Sequence, residues 1–292
     1  MNALGRRLLE THRVPLVGDG GFGARAHPLA RELGCSVESL CRLRPSAVLA
    51  IHAEDLAAGA EYVTTNSFCA ETADEPSAIA REAAVLARRA IDATASERER
   101  WCVGTLGPGP GHPSDDDVAR YEAAARGLVE GGVDALLIET VRDLRALRAA
   151  LEGCARADER GELPRWVSLT PDRTGRLAGG ASLEDAVELV LAERIPPVLL
   201  ALNCIPAQDD VLDVATLRLT NALSGRARAG LWPNAGAPTD GAQRSWPIEP
   251  EPFASAVALA AAAHRLSVVA GCCGAGAEHV AALARTARQR RT

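Results

Sequence analysis

The stretch SVVAGCCGAG, residues 267–276, places two cysteines side by side after a short apolar run. Neighbouring residues of a strand point to opposite faces, so Cys272 and Cys273 cannot both pack on one face of a strand. They converge on a common point only where the strand ends and the backbone turns, which the flanking glycines permit. The pattern therefore predicts a site with two thiols at the end of a strand.

A third cysteine, Cys204, ends another apolar run, VLLALNC. A catalytic zinc site has three protein ligands and an exchangeable fourth position, whereas structural sites fill all four positions with protein ligands. We therefore predict that Cys204, Cys272 and Cys273 bind zinc. The remaining cysteines are interpreted as small buried apolar residues: Cys35, Cys41, Cys69, Cys102 and Cys154.

Two carboxylates also follow apolar runs. Asp19 comes after VPLVG, and Glu139 lies in ALLIET. A carboxylate at the end of an apolar strand needs a partner or a ligand, because burying it alone is costly. For Asp19, capping of a turn or helix is the alternative role.

The elements that must position these residues alternate along the whole chain. Apolar runs predict eight strands, and Ala- and Leu-rich segments of helical spacing lie between them, for example at residues 45–60, 117–132 and 142–154. This alternation predicts a single (β/α)₈ TIM barrel, with residues 1–292 as one domain. Because active sites of such barrels lie at the carboxyl ends of the strands, the thiols and carboxylates are expected to share one rim. The predicted strands are 14–21, 62–68, 101–108, 135–140, 165–171, 198–204, 229–236 and 267–274.

Six motifs in fixed order carry a family resemblance: GDGGFG, TTNSF, LLIET, ALNC, WPNAG and AGCCG. Together they resemble the zinc-dependent homocysteine S-methyltransferases, which include enzymes using betaine or S-methylmethionine and the homocysteine module of cobalamin-dependent methionine synthase. The resemblance runs from about Leu16 to about Leu283. It implies zinc ligands at Cys204, Cys272 and Cys273.

The resemblance also implies a substrate site and a reaction. Asp19 and Glu139 would bind the homocysteine amino group, and the backbone near Gly21 and Phe22 would bind its carboxylate. The implied reaction moves a methyl group from a small donor to the homocysteine thiol and forms methionine. We expect S-methylmethionine as the donor, with S-adenosylmethionine slower, because cobalamin- or folate-linked transfer is expected to need further domains. Betaine is the alternative donor.

GDGGFG also satisfies the G-x-G-x-x-G dinucleotide fingerprint through Gly18, Gly20 and Gly23. Two observations weigh against that interpretation. Pro28 falls where the phosphate-binding helix should be established, and no second strand ending in an acid follows about 20 residues later.

Composition excludes several function classes. The sequence contains no lysine, which excludes a Walker phosphate loop, a lysine Schiff base and a lysine-anchored pyridoxal cofactor. The formal charge of -6 provides no broad positive field that would attract nucleic acid. The apolar runs are too short to cross a bilayer. Eight cysteines without a secretory signal pattern indicate a reducing, cytoplasmic setting.

Two other functions stay open at this stage. One is a barrel lyase or hydrolase that uses metal-bound water, and the other is a non-catalytic zinc or thiol-binding protein. Asn66 and Asn234 are expected to bond loop backbone, and His52 to be a packed or capping residue. The aromatic residues Trp232, Trp246 and Phe68 are candidates either for the pocket of a cationic donor or for core and lid positions.

Overall fold

Eight parallel strands alternate with helices in the computed structural model, which describes residues 2–10, 14–96, 98–108, 116–207, 209–237 and 246–289. The strands are β1 Leu16–Val17, β2 Tyr62–Thr64, β3 Trp101–Leu106, β4 Ala135–Val141, β5 Arg165–Leu169, β6 Leu199–Pro206, β7 Arg228–Asn234 and β8 Val268–Val269. The helices are α1 Ala3–Glu10, α2 Phe22–Leu33, α3 Leu40–Leu43, α4 Pro45–Ala58, α5 Pro76–Ala93, α6 Asp117–Glu130, α7 Leu144–Ala157, α8 Leu183–Leu191, α9 Asp209–Leu223, α10 Pro250–His264 and α11 Ala277–Gln289, with a short 3₁₀ turn at Ala70–Thr72.

The sheet order is β1-β8-β7-β6-β5-β4-β3-β2, so the first and last strands are neighbours. The two remaining edges also approach each other, because the Glu61 N–H donates to the Val17 carbonyl at 2.7 Å. The sheet is therefore a nearly closed barrel, which confirms the predicted (β/α)₈ architecture. No helix in the described ranges is both long and apolar enough to span a membrane.

Side chains alternate along the strands between the barrel interior and the surrounding helices. Tyr62, Trp166 and Trp232 belong to the interior cluster, which also contains Leu4 and Leu8 of α1. The outward-facing residues of the same strands pack with the helices in a second, larger cluster. Helix α1 thus contributes apolar side chains to the barrel interior, and the opposite, carboxyl ends of the strands are left for polar residues.

All eight predicted strands exist, but their ends differ from the sequence prediction. β1 and β8 have only two residues each, so Cys272 and Cys273 lie in the turn after β8. β4 and β6 continue past Glu139 and Cys204, and each strand contains a register shift at that point. The thiols and carboxylates therefore lie in turns and irregular strand segments.

One expectation about α2 was wrong. The helix runs through Pro28, which is the seventh of its 12 residues. A proline there removes one backbone hydrogen bond. Burial of Phe22, Ala26 and Ala30 on the packed face of α2 offsets that loss. Pro28 therefore gives no argument against a phosphate-binding helix at this position.

Candidate active site

Two non-glycine residues with positive φ lie near the ends of β4 and β6, the two strands that flank β5. Thr140 has φ 62° and lies in the register shift of β4, and Cys204 has φ 56° and lies in that of β6. This conformation is uncommon for residues with a Cβ and is often found at functional sites. The irregularity interrupts the strict alternation of side chains, so Cys204 leaves the outward-facing series of β6 and approaches the cysteines after β8.

The three predicted ligands come together. Cys204 Sγ lies 3.3 Å from Cys272 Sγ, and the three sulfur atoms, including that of Cys273, lie within 4.8 Å of one another. In a tetrahedral zinc site with Zn–S of about 2.3 Å, sulfur atoms are about 3.8 Å apart, which falls within this range. The donor set and its spacing fit a zinc ion with one position left open.

Asn234 ties both cysteine segments together. Its Nδ2 donates to the Cys204 carbonyl at 3.1 Å, and its Oδ1 accepts the Cys273 N–H at 3.1 Å. The Ala235 N–H donates to the Cys273 carbonyl at 2.9 Å. Asn234 therefore has the loop-bonding role expected from the sequence, and the loops that it bonds are those that carry the thiols.

Cys204 and Cys272 are held as neutral thiols unless a cation is present. For Cys204, a hydrogen bond with Cys272 favours the thiolate, but Cys273, burial and the Glu139 charge raise its pKa to about 12. The hydrogen bonds to its two neighbours and burial raise the pKa of Cys272 well above its ordinary value. A divalent cation would reverse this balance, because a coordinating thiol is deprotonated outright. The electrostatics, like the spacing, fit a metal site.

Asp19 and Glu139 face each other across the same rim. Asp19 is 3% exposed, and its Oδ2 accepts the Thr64 N–H at 2.6 Å and the Thr64 hydroxyl at 2.8 Å. Burial, and then the Asp55 charge, raise the pKa of Asp19 to about 7. Burial, then the charges of Asp19 and Cys273, raise the pKa of Glu139 to about 8. A buried carboxylate and a half-buried one that repel each other form a site suited to a cation such as an ammonium group.

The turn between β1 and α2 presents the predicted backbone site. Gly21 is the N-cap of α2, and Phe22 is the first helical residue. The Gly21 N–H donates to the Ala275 carbonyl at 2.8 Å, so it is already used. Binding of a carboxylate here would fall to the first-turn amides that begin at Phe22, since these have no partners within the helix.

Gly21 also allows this turn to approach the metal segment. A Cβ at Gly21 would lie 2.9 Å from the Cys272 carbonyl carbon and closer still to its oxygen. We predict that Gly21→Ala lowers zinc affinity about 10- to 100-fold, the loss typical of disturbing an outer-shell partner. Competition with a chromophoric chelator measures this affinity.

Gly23→Ala is the matched control, because the nearest atoms to a Cβ there are 4.0 Å away in His27. Gly23 lies in α2, where alanine is preferred over glycine, so zinc affinity should stay and the melting temperature should not fall. Equal zinc affinity in Gly21→Ala and wild type would refute the close approach of the two segments.

The aromatic candidates have separate positions. Trp232 is 4% exposed inside the barrel, stacks on Trp166 at 6.4 Å, and donates its indole N–H to the Tyr62 hydroxyl. It is therefore a core residue. Trp246 is only partly buried and packs against Gly274, the residue after Cys273. Trp246 is thus the tryptophan next to the thiols.

The other residues singled out from the sequence have structural positions. Asn66 donates to the Val37 carbonyl at 2.8 Å, and His52 is fully buried in α4 against the Phe22 ring at 5.0 Å. The five remaining cysteines are not part of the three-cysteine cluster. Cys41, Cys102 and Cys154 are buried, and Cys35 and Cys69 are partly buried.

Sequence analysis missed three residues next to Asp19. Thr64 donates the two hydrogen bonds that Asp19 Oδ2 accepts. Arg25 and Asp55 form an ion pair next to the turn that carries Asp19. Thr64 belongs to the TTNSF motif, and that motif could have pointed to it as a site residue. Asp55 lies in a predicted helix among apolar residues, and an acid there was a weaker signal.

A family model described as homocysteine S-methyltransferase matches residues 16–287. The chain belongs to the homocysteine S-methyltransferase family. Among curated proteins, it is 33% identical over 302 residues to methionine synthase of Mycobacterium leprae (strain TN), covering 94% of this chain and 24% of the relative. The match to methionine synthase of Mycobacterium tuberculosis (strain ATCC 25618 / H37Rv) is 33% over 292 residues, covering 91% and 24%. This family member therefore spans about a quarter of the length of these relatives.

Among solved structures, the homocysteine methyltransferase MmuM from Escherichia coli in its apo form has a TM-score of 0.73 at 23% identity, covering 96% of this chain and 98% of that chain. Its metallated form has a TM-score of 0.74 at 20% identity, covering 97% and 99%. At these identities the likeness concerns the fold. It extends over both chains almost completely.

Proposed function

We propose that this homocysteine S-methyltransferase family member transfers a methyl group from a small onium donor to the homocysteine thiol, forming methionine. The observation that carries the proposal is the placement of three thiols within 4.8 Å of one another on the same rim as Asp19 and Glu139. The thiols suit a metal that binds the substrate sulfur, and the acids suit the substrate ammonium group. The family match over residues 16–287 supports the same conclusion.

We propose zinc as the metal, with Cys204, Cys272 and Cys273 as its ligands. When bound, zinc would hold the homocysteine sulfur as a thiolate and so supply a nucleophile at neutral pH. The three protein thiolates keep the site electron-rich, because each carries a negative charge. The existence of a metallated form of E. coli MmuM supports a metal in this fold.

Asp19 and Glu139 would orient the substrate. Their carboxylates would bind the ammonium group and so place the sulfur for in-line attack on the methyl carbon. The first-turn amides of α2, from Phe22 onward, would bind the substrate carboxylate at the positive end of the helix dipole. Binding at both ends of the amino acid fixes the position of its thiol.

For the donor, we propose S-methylmethionine, with S-adenosylmethionine as a slower substitute. The thioether released from a sulfonium is a better leaving group than the tertiary amine released from betaine, and the positive charge of the sulfonium suits the anionic rim. The face of Trp246 beside Gly274 is the aromatic surface next to the thiols that could contact such a cation. Trp232 is excluded from this role by its place in the barrel interior.

A second candidate is a methyl group presented by another domain or protein. The 33% identity to methionine synthases, of which this chain spans only 24%, favours it. In that case the barrel would provide the homocysteine half of the reaction, and free sulfonium compounds would be poor donors.

The experiment is a donor panel with zinc-loaded protein and homocysteine. S-methylmethionine, S-adenosylmethionine, betaine and methylcobalamin are supplied one at a time, and methionine is quantified by chromatography against reactions lacking homocysteine. We expect the fastest formation with S-methylmethionine. Turnover with betaine but neither sulfonium would identify the betaine branch, and turnover with methylcobalamin alone the second candidate. Turnover of carbonyl substrates without any thiol would indicate a lyase or hydrolase instead.

A further inference from the structure

A buried ion pair joins Arg25 of α2 to Asp55 of α4 beside Asp19. Asp55 is 1% exposed, and its Oδ2 accepts both the Arg25 guanidinium and the Gly20 N–H, the latter at 3.4 Å. Its Oδ1 has no hydrogen-bond partner among the described residues. One carboxylate oxygen thus connects two helices to the turn that carries Asp19.

The Gly20 turn is also fixed from the opposite side. A Cβ at Gly20 would lie 3.2 Å from the Ala275 carbonyl carbon and closer to its oxygen, and the Gly271 N–H donates to the Asp19 carbonyl at 2.9 Å. The turn is therefore held between Asp55 and the segment after β8. Because Gly20 directly follows Asp19 in the chain, a shift of Asp55 would move Asp19 as well.

The same pair acts on Asp19 through charge. Burial raises the pKa of Asp19, the Asp55 charge raises it further, and Thr64 and Arg25 oppose the rise. Burial raises the pKa of Asp55 as well, and the Arg25 guanidinium opposes that rise. Asp55 and Arg25 therefore act on the ionisation of Asp19 with opposite signs.

Other titratable groups surround this cluster, and most are neutral near pH 7. Burial and Arg25 lower the pKa of His52 to about 3, and burial raises the pKa of Cys102 to about 12 and that of Tyr62 well above its ordinary value. Arg25 is the cation of the set. The groups that face Asp19 or Asp55 are Arg25 of α2, His52 and Glu54 of α4, Tyr62 of β2, Cys102 of β3 and Glu139 of β4.

We propose that Asp55 and Arg25 are positioning residues for homocysteine: Asp55 fixes the Gly20 turn that carries Asp19, and Arg25 holds Asp55 in place as its ion-pair partner. The inference rests on the proposed function, because it gives Asp19 an ammonium ligand. Neither residue needs to touch the substrate. Both act through Asp19.

Two substitutions test this role. Asp55→Asn removes the anion beside Asp19 and keeps an acceptor for Gly20, so the acid limb of kcat/KM for homocysteine should move to lower pH. Arg25→Met leaves the buried Asp55 without its ion-pair partner, so Asp55 should become neutral. The limb should then move in the same direction by a smaller amount, because the Arg25 charge is lost as well. A merely structural role would lower kcat/KM in both variants and leave the limb in place.

The double variant Arg25→Met with Asp55→Asn should have the acid limb of Arg25→Met, because Asp55 is already neutral when Arg25 is absent. Arg42→Met is the control, since Arg42 lies on α3 with its partners Glu75 and Glu82 at the surface. Circular dichroism and zinc content verify that each variant is folded and loaded.

A second readout does not depend on turnover. Carbon-13 NMR of aspartate carboxyl groups in the zinc-loaded protein follows the titration of Asp19 directly, assigned by its loss in Asp19→Asn. We expect a lower midpoint in both variants, with the larger shift in Asp55→Asn. Unmoved midpoints in both variants would overturn the inference. A wild-type protein that fails to bind homocysteine would overturn the proposed function, while the NMR titration would still decide how the pair acts on Asp19.

Discussion

Replacing Cys272 with serine is expected to remove bound zinc and to lower methionine formation by more than about 100-fold, beyond what loss of an outer-shell partner costs. Cys272 Sγ lies 3.3 Å from Cys204 Sγ within a cluster that also includes Cys273. A serine hydroxyl is a poor zinc ligand at neutral pH, because it does not ionise as a thiol does. Two remaining thiolates would leave the ion without its third protein ligand.

Cys204→Ser and Cys273→Ser should give the same result, because each removes one of three equivalent donors. Cys35→Ser is the control, since that thiol is partly buried away from the cluster and should leave zinc unchanged. Metal content per protein molecule, measured by mass spectrometry after removal of free metal, is the primary readout. Undiminished zinc in all three cluster variants would refute the ligand assignment.

The pattern of the sequence was sufficient for the architecture and for the identity of the clustered residues. Eight apolar runs alternating with helical segments favour a barrel over an open sheet, and a barrel brings the carboxyl ends of its strands to one rim. Cys204 and Cys272 are 68 positions apart in the sequence, yet the strand order alone predicts that they meet. Adjacent cysteines before a glycine excluded a regular strand at Cys273.

The local backbone at the rim could not be predicted from the sequence. The positive φ of Cys204 and Thr140 is part of a network in which Asn203 Nδ2 donates to the Thr140 hydroxyl at 2.6 Å, and Asn203 Oδ1 accepts from Thr170 at 2.7 Å. These bonds join β4 and β6 to the residue that follows β5. No local propensity signals these bonds, because they depend on which residues the barrel brings together.

The ion pair at Asp19 escaped prediction for a similar reason. Arg25 and Asp55 are 30 positions apart, and each is a common surface residue type. Burial of Asp55 is decided by the packing of α2 against α4. Pro28 is a second case in which packing decides the structure. Proline disfavours a helix locally, yet the tertiary packing of α2 outweighs that preference.

The second large effect is expected at the carboxylates. Asp19→Asn and Glu139→Gln should each weaken homocysteine binding by one to two decades while zinc stays bound, because each removes a charge that faces the ammonium group. A hydrogen bond to a charged group contributes about 1.5 to 3 kcal/mol, which corresponds to that loss of affinity. Asparagine keeps an acceptor for the Thr64 N–H, so the turn at position 19 should remain in place.

Calorimetric titration of homocysteine into zinc-loaded protein measures both affinities. Asp158→Asn is the matched control, because that carboxylate caps the Glu162 and Leu163 N–H groups at 3.0 Å each, at the opposite end of the barrel before β5. It should bind homocysteine as wild type does. If Asp19→Asn and Glu139→Gln also bind with unchanged affinity, the ammonium group lies elsewhere. A loss confined to Glu139→Gln would assign the ammonium to the β4 side of the rim, since Asp19 is the more buried of the two acids and already accepts two hydrogen bonds from Thr64.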